Sequence, residues 1–131
     1  MSIISTRRFT VNDVHEGIYT QAHLASARWD ENEFQAVGLN EEYHEGIPVP
    51  FVKESRIKSF YSFKERHVVQ LNQTVLIVGQ LEKLIIDDAC VNDDGFVDLE
   101  KAGTLAVSGL DSYHKTEALE RLPFAKPNAK P

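Results

Sequence analysis

The chain has 131 residues, enough for one domain, with 42% hydrophobic and 26% charged residues and a net charge of −6. The acidic balance and the scattered Lys and Arg residues exclude a general binder of phosphate backbones, so no nucleic-acid partner is expected. No apolar run approaches membrane-spanning length, and Cys90, the only cysteine, leaves no intrachain disulfide to form.

The first residues, Met1 to Arg8, lack the long apolar centre of a signal peptide, which predicts a cytoplasmic protein. Phe9-Thr10-Val11 is rich in strand formers. Asp13 and Glu16 have the spacing of a capping pair, and Val14, Ile18, Ala22 and Ala25 recur at helical intervals. A helix of about three turns is expected there. Glu33 to Leu39 reads as a single helical turn stopped by Gly38, and Gly46, Pro48 and Pro50 mark a loop.

Two long strands follow. Ile57 to Gln70 carries Ile57, Phe60, Tyr61, Phe63, Val68 and Val69. Thr74 to Ile86 begins apolar on both faces, which predicts cover on both faces. Leu71 to Thr74 supplies the turn between them. Gly79, in the middle of the second strand, marks a bend or a close backbone approach. Asn92 to Gly95 then turns the chain. Asp98 to Ala102 begins a short helix, and the tail from Leu122 is extended.

Catalytic motifs are absent from this pattern. Asn92, Asp94, Gly95 and Asp98 imitate part of a calcium loop, but its first and last ligand positions fall on Cys90 and Lys101, and lysine opposes a cation. A solvated turn before a capped helix accounts for them better. His15, His23, His44, His67 and His114 are dispersed without metal-ligand spacing, so no metal is expected. Cys90 stands beside Asp87 and Asp88, a setting that works against a thiolate nucleophile. Ser108-Gly109 lacks the flanking glycine of a nucleophile elbow.

Six segments, taken in order, carry a family likeness: Ala25 to Arg28, Glu33 to Leu39, Phe51 to Ile57, Leu71 to Leu81, Asp94 to Glu100, and Ser108 to Tyr113. Together they resemble the C-terminal part of the flavin reductase-like, FMN-binding split-barrel family, which includes the flavoredoxins. The resemblance implies an α+β, mainly β fold: a partial antiparallel split barrel with short peripheral helices, in a single domain over residues 1–131. It also implies FMN as cofactor, NAD(P)H as reductant, a homodimer and a flavin-using partner enzyme, with electron transfer of the NAD(P)H:flavin oxidoreductase type. That family grips the flavin phosphate with a lysine-aspartate-threonine stretch. Ile3 to Phe9 resembles the end of the helix that follows it, which would place that stretch ahead of Met1.

The flavin contacts expected within the chain are Lys53, Glu54, Ser55 and Arg56 in one segment and Gly109, Leu110, Asp111 and Tyr113 in another. Gly109 would let backbone approach a ring, and Tyr113 would stack on it. Surface charge for Lys53 and Arg56, a turn for Gly109 and a core role for Tyr113 remain open beside that reading. So do two other identities for the chain, a non-enzymatic or truncated relative that keeps the dimer scaffold without flavin.

Overall fold

The structure, a computed structural model, describes residues 6–128; the readings placed on Met1 to Ser5 lie outside the described residues. Its frame is a three-stranded antiparallel sheet in the order β1-β4-β5, built from β1 (Arg8–Asn12), β4 (Ile57–Val69) and β5 (Thr74–Ile86). Two further ladders are short: β2 (Glu41–Glu42) with β3 (Phe51–Val52), and β6 (Ala106–Ser108) with β7 (Ser112–His114). The helices are α1 (Tyr19–Leu24), α2 (Glu33–Val37) and α3 (Leu99–Ala102), with a 3-10 turn at Asp88–Cys90.

The long strands lie where their β-branched and aromatic residues place them. Period-two alternation then divides the sheet into two faces. Lys58 and Phe60 of β4 share one face with Ile85 of β5. There Phe60 packs with Ile47 and Phe51 from the loop and hairpin that fold over it, flanked by Val49 and Ile85. Ile57 opens the other face, packed with Cys90 and Ala102 and flanked by Ile86 and Val97. Cys90 is thus a core residue.

The β4–β5 register shifts twice, between Phe60 and Tyr61 and between Phe63 and Glu65, and Gly79 lies opposite Phe63 beside the second shift. A Cβ on Gly79 would sit 2.6 Å from Phe9 Cζ and 3.2 Å from Tyr61 Cβ. The Phe9 ring stacks on Tyr61 with centroids 5.1 Å apart, so the glycine is what lets that pair lie flat against the strand. Gly79→Ala is therefore expected to destabilise the fold by about 1–3 kcal/mol through overpacking. Urea denaturation measures it, and an unchanged midpoint would show that Phe9 moves aside freely.

The turn between the long strands, the Gly38 stop of α2 with its left-handed φ of 79°, and the Asp98 cap of α3 all follow the sequence reading. Three expectations do not hold. The helix expected from Val14 is only Tyr19–Leu24. His15 instead bridges Thr104, and the Leu105 N–H donates to the Val14 carbonyl, so long-range pairing claims the backbone that a first helical turn would need. Asp13 and Glu16 form no capping box. The Asp13 N–H donates to the Ile57 carbonyl, its carboxyl bonds Thr104, and Ile18 precedes the helix without a side-chain cap.

The third correction concerns β5. Cover on both faces was expected, yet Leu81 and Leu84 are each 49% exposed, and Val75, Leu76 and Val78 are exposed as well. The sheet does not close: among the described residues β1 and β5 each pair on one side only. Its beginning reads as buried because the apolar residues are there; the elements that would cover them are not among those described.

Candidate functional site

The two expected contact segments have different surroundings. In the first, Ser55 is buried, and its hydroxyl donates to the Asp13 carbonyl at 2.7 Å and the Ile57 carbonyl at 3.0 Å. The Glu54 carboxylate accepts the Asn40 N–H at 2.7 Å, and its carbonyl faces His15 Nε2 at 2.8 Å. His15 Nδ1 accepts the Gly17 N–H, which fixes the Nε2–H tautomer and makes this histidine a structural strut. The Arg56 guanidinium donates to the Ala102 carbonyl at 3.1 Å, and the Lys53 N–H donates to the Asn40 carbonyl. Ser55 and Glu54 are thus tied to neighbouring segments, while the Lys53 ammonium and the rest of the Arg56 guanidinium face solvent.

The second segment is the β6–β7 hairpin. Gly109 takes a left-handed φ of 62° at its tip, where a Cβ would meet nothing within 4 Å. Leu110 and Asp111 are exposed beside it. Tyr113 turns inward: its hydroxyl is 3.0 Å from His23 Nδ1, and its ring lies 5.5 Å from that of Tyr19 and edge-on to that of His23. A recess of about 270 Å³ opens between Tyr19, Tyr113, Leu105, Glu16, His114 and Lys115, with Lys115 paired to Glu16 at 3.1 Å on its rim. His114 Nε2 sits 2.8 Å from the Ser108 hydroxyl, which stiffens the hairpin.

Among the described residues no hydrogen bond, ion pair or ring contact joins the two segments. The structure does add Tyr19 and His23 to Tyr113. Their four-residue spacing places them on one helical face, a signal legible in the sequence, where His23 counts only as one of five dispersed histidines and Tyr19 is not singled out.

These groups can be tested against a flavin. Tyr19 and Tyr113 offer aromatic surface with a cation, Lys115, at the margin, which suits a planar ring. A phosphate asks for several free donors; Ser55 has spent its hydroxyl, and the exposed Arg56 guanidinium gives one of its five N–H groups to Ala102. The described residues therefore offer aromatic surface for a ring and two exposed cations, Lys53 and Arg56, for an anion. No group of three or more potential metal ligands occurs among them.

Beneath the loop, Arg121 binds Asp94 at 2.8 Å and lies over the Phe96 ring at 3.9 Å, and that guanidinium holds the Asp94 carboxyl below the usual carboxylate range. Burial pushes the Asp13 carboxyl up, partly countered by its bond to Thr104.

No family model and no curated protein matches the sequence. Solved structures do. A protein from Shewanella frigidimarina, named for an inferred flavin reductase activity and a split barrel domain, is 43% identical with a TM-score of 0.90, over 94% of this chain and 63% of its own. Flavoredoxin of Desulfovibrio vulgaris superposes with a TM-score of 0.81 at 20% identity, over 94% of this chain and 66% of its own. Nitrilotriacetate monooxygenase component B of Bacillus cereus gives 0.76 at 19% identity, over 92% and 62%. The last two speak for the fold alone. The chain spans less than two thirds of the length of each of these proteins.

Proposed function

We propose, for a chain that has the split-barrel fold of the flavin reductases and flavoredoxins, that it serves FMN-dependent electron transfer of the NAD(P)H:flavin oxidoreductase type. The observation that carries this reading is the 43% identity to the Shewanella protein at a TM-score of 0.90. The bound flavin would supply the hydride and electron chemistry, and the protein would supply binding and orientation.

Within this chain we assign the ring contact to Tyr113, with Tyr19 beside it and Gly109 leaving the hairpin tip open. Lys53 and Arg56, both exposed, are the side chains of the first segment with donors free to meet an anion. The remaining phosphate contacts we place in the portion of the relatives' length that this chain does not span. A homodimer completes the reading, because it would cover part of the bare sheet. A flavin-using partner enzyme and a cytoplasmic setting accompany it. Among the described residues no helix is long and apolar enough to cross a membrane.

Titration of the purified chain with FMN, followed by quenching of flavin fluorescence, tests the assignment. Saturable binding is expected. Tyr113→Ala should weaken it about tenfold, which is within the reach of one aromatic contact, while Tyr113→Phe, which keeps the ring, should not. Absence of quenching, together with no NADH oxidation in the presence of added FMN, would refute the proposal.

A further inference from the structure

Tyr113 is held from two sides. Its backbone pairs with Val107 in the β6–β7 ladder, and its hydroxyl lies 3.0 Å from His23 Nδ1 on α1. The two rings meet edge-on with centroids 5.6 Å apart. His23 sits in the last turn of α1, and local bonds fix that end of the helix. The Ser26 hydroxyl and N–H both donate to the His23 carbonyl, and the Trp29 indole N–H donates to the Leu24 carbonyl at 3.0 Å. His23 is exposed, and among the described residues its Nε2 has no partner.

The direction of the bond between them depends on the imidazole. A neutral ring has one accepting and one donating nitrogen, and a protonated ring donates from both. With Nε2 open to water, a neutral His23 can carry its proton there and accept the Tyr113 O–H at Nδ1. A protonated His23 must donate from Nδ1, so the Tyr113 oxygen becomes the acceptor and its own O–H is set free. We infer that His23 is a positioning residue with two settings: neutral, it holds the Tyr113 hydroxyl away from a ligand; protonated, it releases that hydroxyl to donate to a carbonyl or ring-nitrogen acceptor of a ring bound in the recess. This rests on the ring contact assigned to Tyr113 in the proposed function. The Tyr113 ring keeps its place in both settings, because the same two atoms stay in contact. Other titratable groups border the recess: Tyr19 on the same helix, His114 on β7, and Glu16 with Lys115. Their polar atoms are engaged elsewhere, His114 Nε2 with the Ser108 and Ser112 hydroxyls at 2.8 and 3.2 Å, and Glu16 with Lys115 at 3.1 Å. Among the described residues only His23 bonds the Tyr113 hydroxyl.

FMN titrations of the full chain at about pH 8 and about pH 6, either side of the usual imidazole transition, test this. The quantity read is the FMN dissociation constant of Tyr113→Phe divided by that of wild type at each pH; titration of the FMN phosphate cancels from it. The ratio should be about one at the higher pH and about five at the lower, within the worth of one hydrogen bond. In a His23→Leu background the hydroxyl has no partner at either pH, so the ratio should be about five at both. His23 is exposed, so the circular dichroism of that variant should stay native. His114→Gln should keep the wild-type pattern. A hydroxyl that serves only as a strut gives one ratio at both pH values; that result would overturn the two settings and leave the ring contact standing. A pattern lost in His114→Gln and kept in His23→Leu would overturn the assignment to His23. No FMN binding at either pH would overturn the proposed function and this inference with it.

Discussion

Phe51→Ala is expected to remove about 3–5 kcal/mol of unfolding free energy, the range for deleting a fully buried phenylalanine. Phe51 is 0% exposed and joins the hairpin β2–β3 to the sheet. It packs against Ile47 and Phe60, and the His44 ring meets it edge-on at 5.1 Å. Besides this packing, the segment from Glu41 to Val52 is held by a ladder of two residue pairs, the Glu42–Lys58 ion pair, the Thr10 hydroxyl on the Pro50 carbonyl, and the Val52 N–H on the Asn12 side chain. With stabilities of small domains near 5–15 kcal/mol, the loss takes a large share of the total. The urea midpoint should fall by about 2 M, given a typical denaturant slope. A drop under a quarter of that would mean that the segment contributes to local order only.

Glu42→Gln should cost about 1.5–3 kcal/mol at neutral pH, the range for a hydrogen bond to a charged group. The Lys58 side chain is 8% exposed, and its ammonium meets Glu42 Oε2 at 2.6 Å; His44 Nε2 meets the same oxygen at 3.0 Å. Glutamine preserves the shape and removes the charge, which leaves Lys58 buried without its counter-ion. The bond from Lys58, and after it the bond from His44, holds the Glu42 carboxyl below the ordinary glutamate range. A carboxylate with a lowered folded pKa contributes stability above its unfolded pKa and loses it as pH falls through the folded one. Wild type should therefore lose stability on the acid side faster than the variant, until the two curves meet. Parallel curves from neutral to acid pH would show that the pair does not act through its charge.

Much of the frame was readable from residue patterns. The β-branched and aromatic run from Ile57, the turn after Val69 and the apolar run to Ile86 gave two long antiparallel strands, and Gly79 flagged the close approach that Phe9 makes. Asn32-to-Gly38 and Asp98-to-Gly103 carried their own caps and stops, which act within one turn of chain and so are local signals. The region from Val14 to Gly17 misled because its periodicity is helical, while Thr104 and Leu105, distant in sequence, compete for the same backbone groups. No local pattern records that competition.

The candidate site divides along the same line. Tyr113 and Gly109 could be singled out as an aromatic and a flexible residue in one turn, whereas Ser55 and Glu54 looked like available polar groups until tertiary contacts showed where their hydrogen bonds go. The sequence by itself determined the strands, the turns and the capped helices, because propensity, alternation and capping act between near neighbours. Only the tertiary structure decided which polar groups are already satisfied, that Tyr19 and His23 join Tyr113, and that the apolar faces of β5 lie open. Those depend on which distant segments meet, and burial is a property of the neighbours a residue acquires as much as of the residue itself.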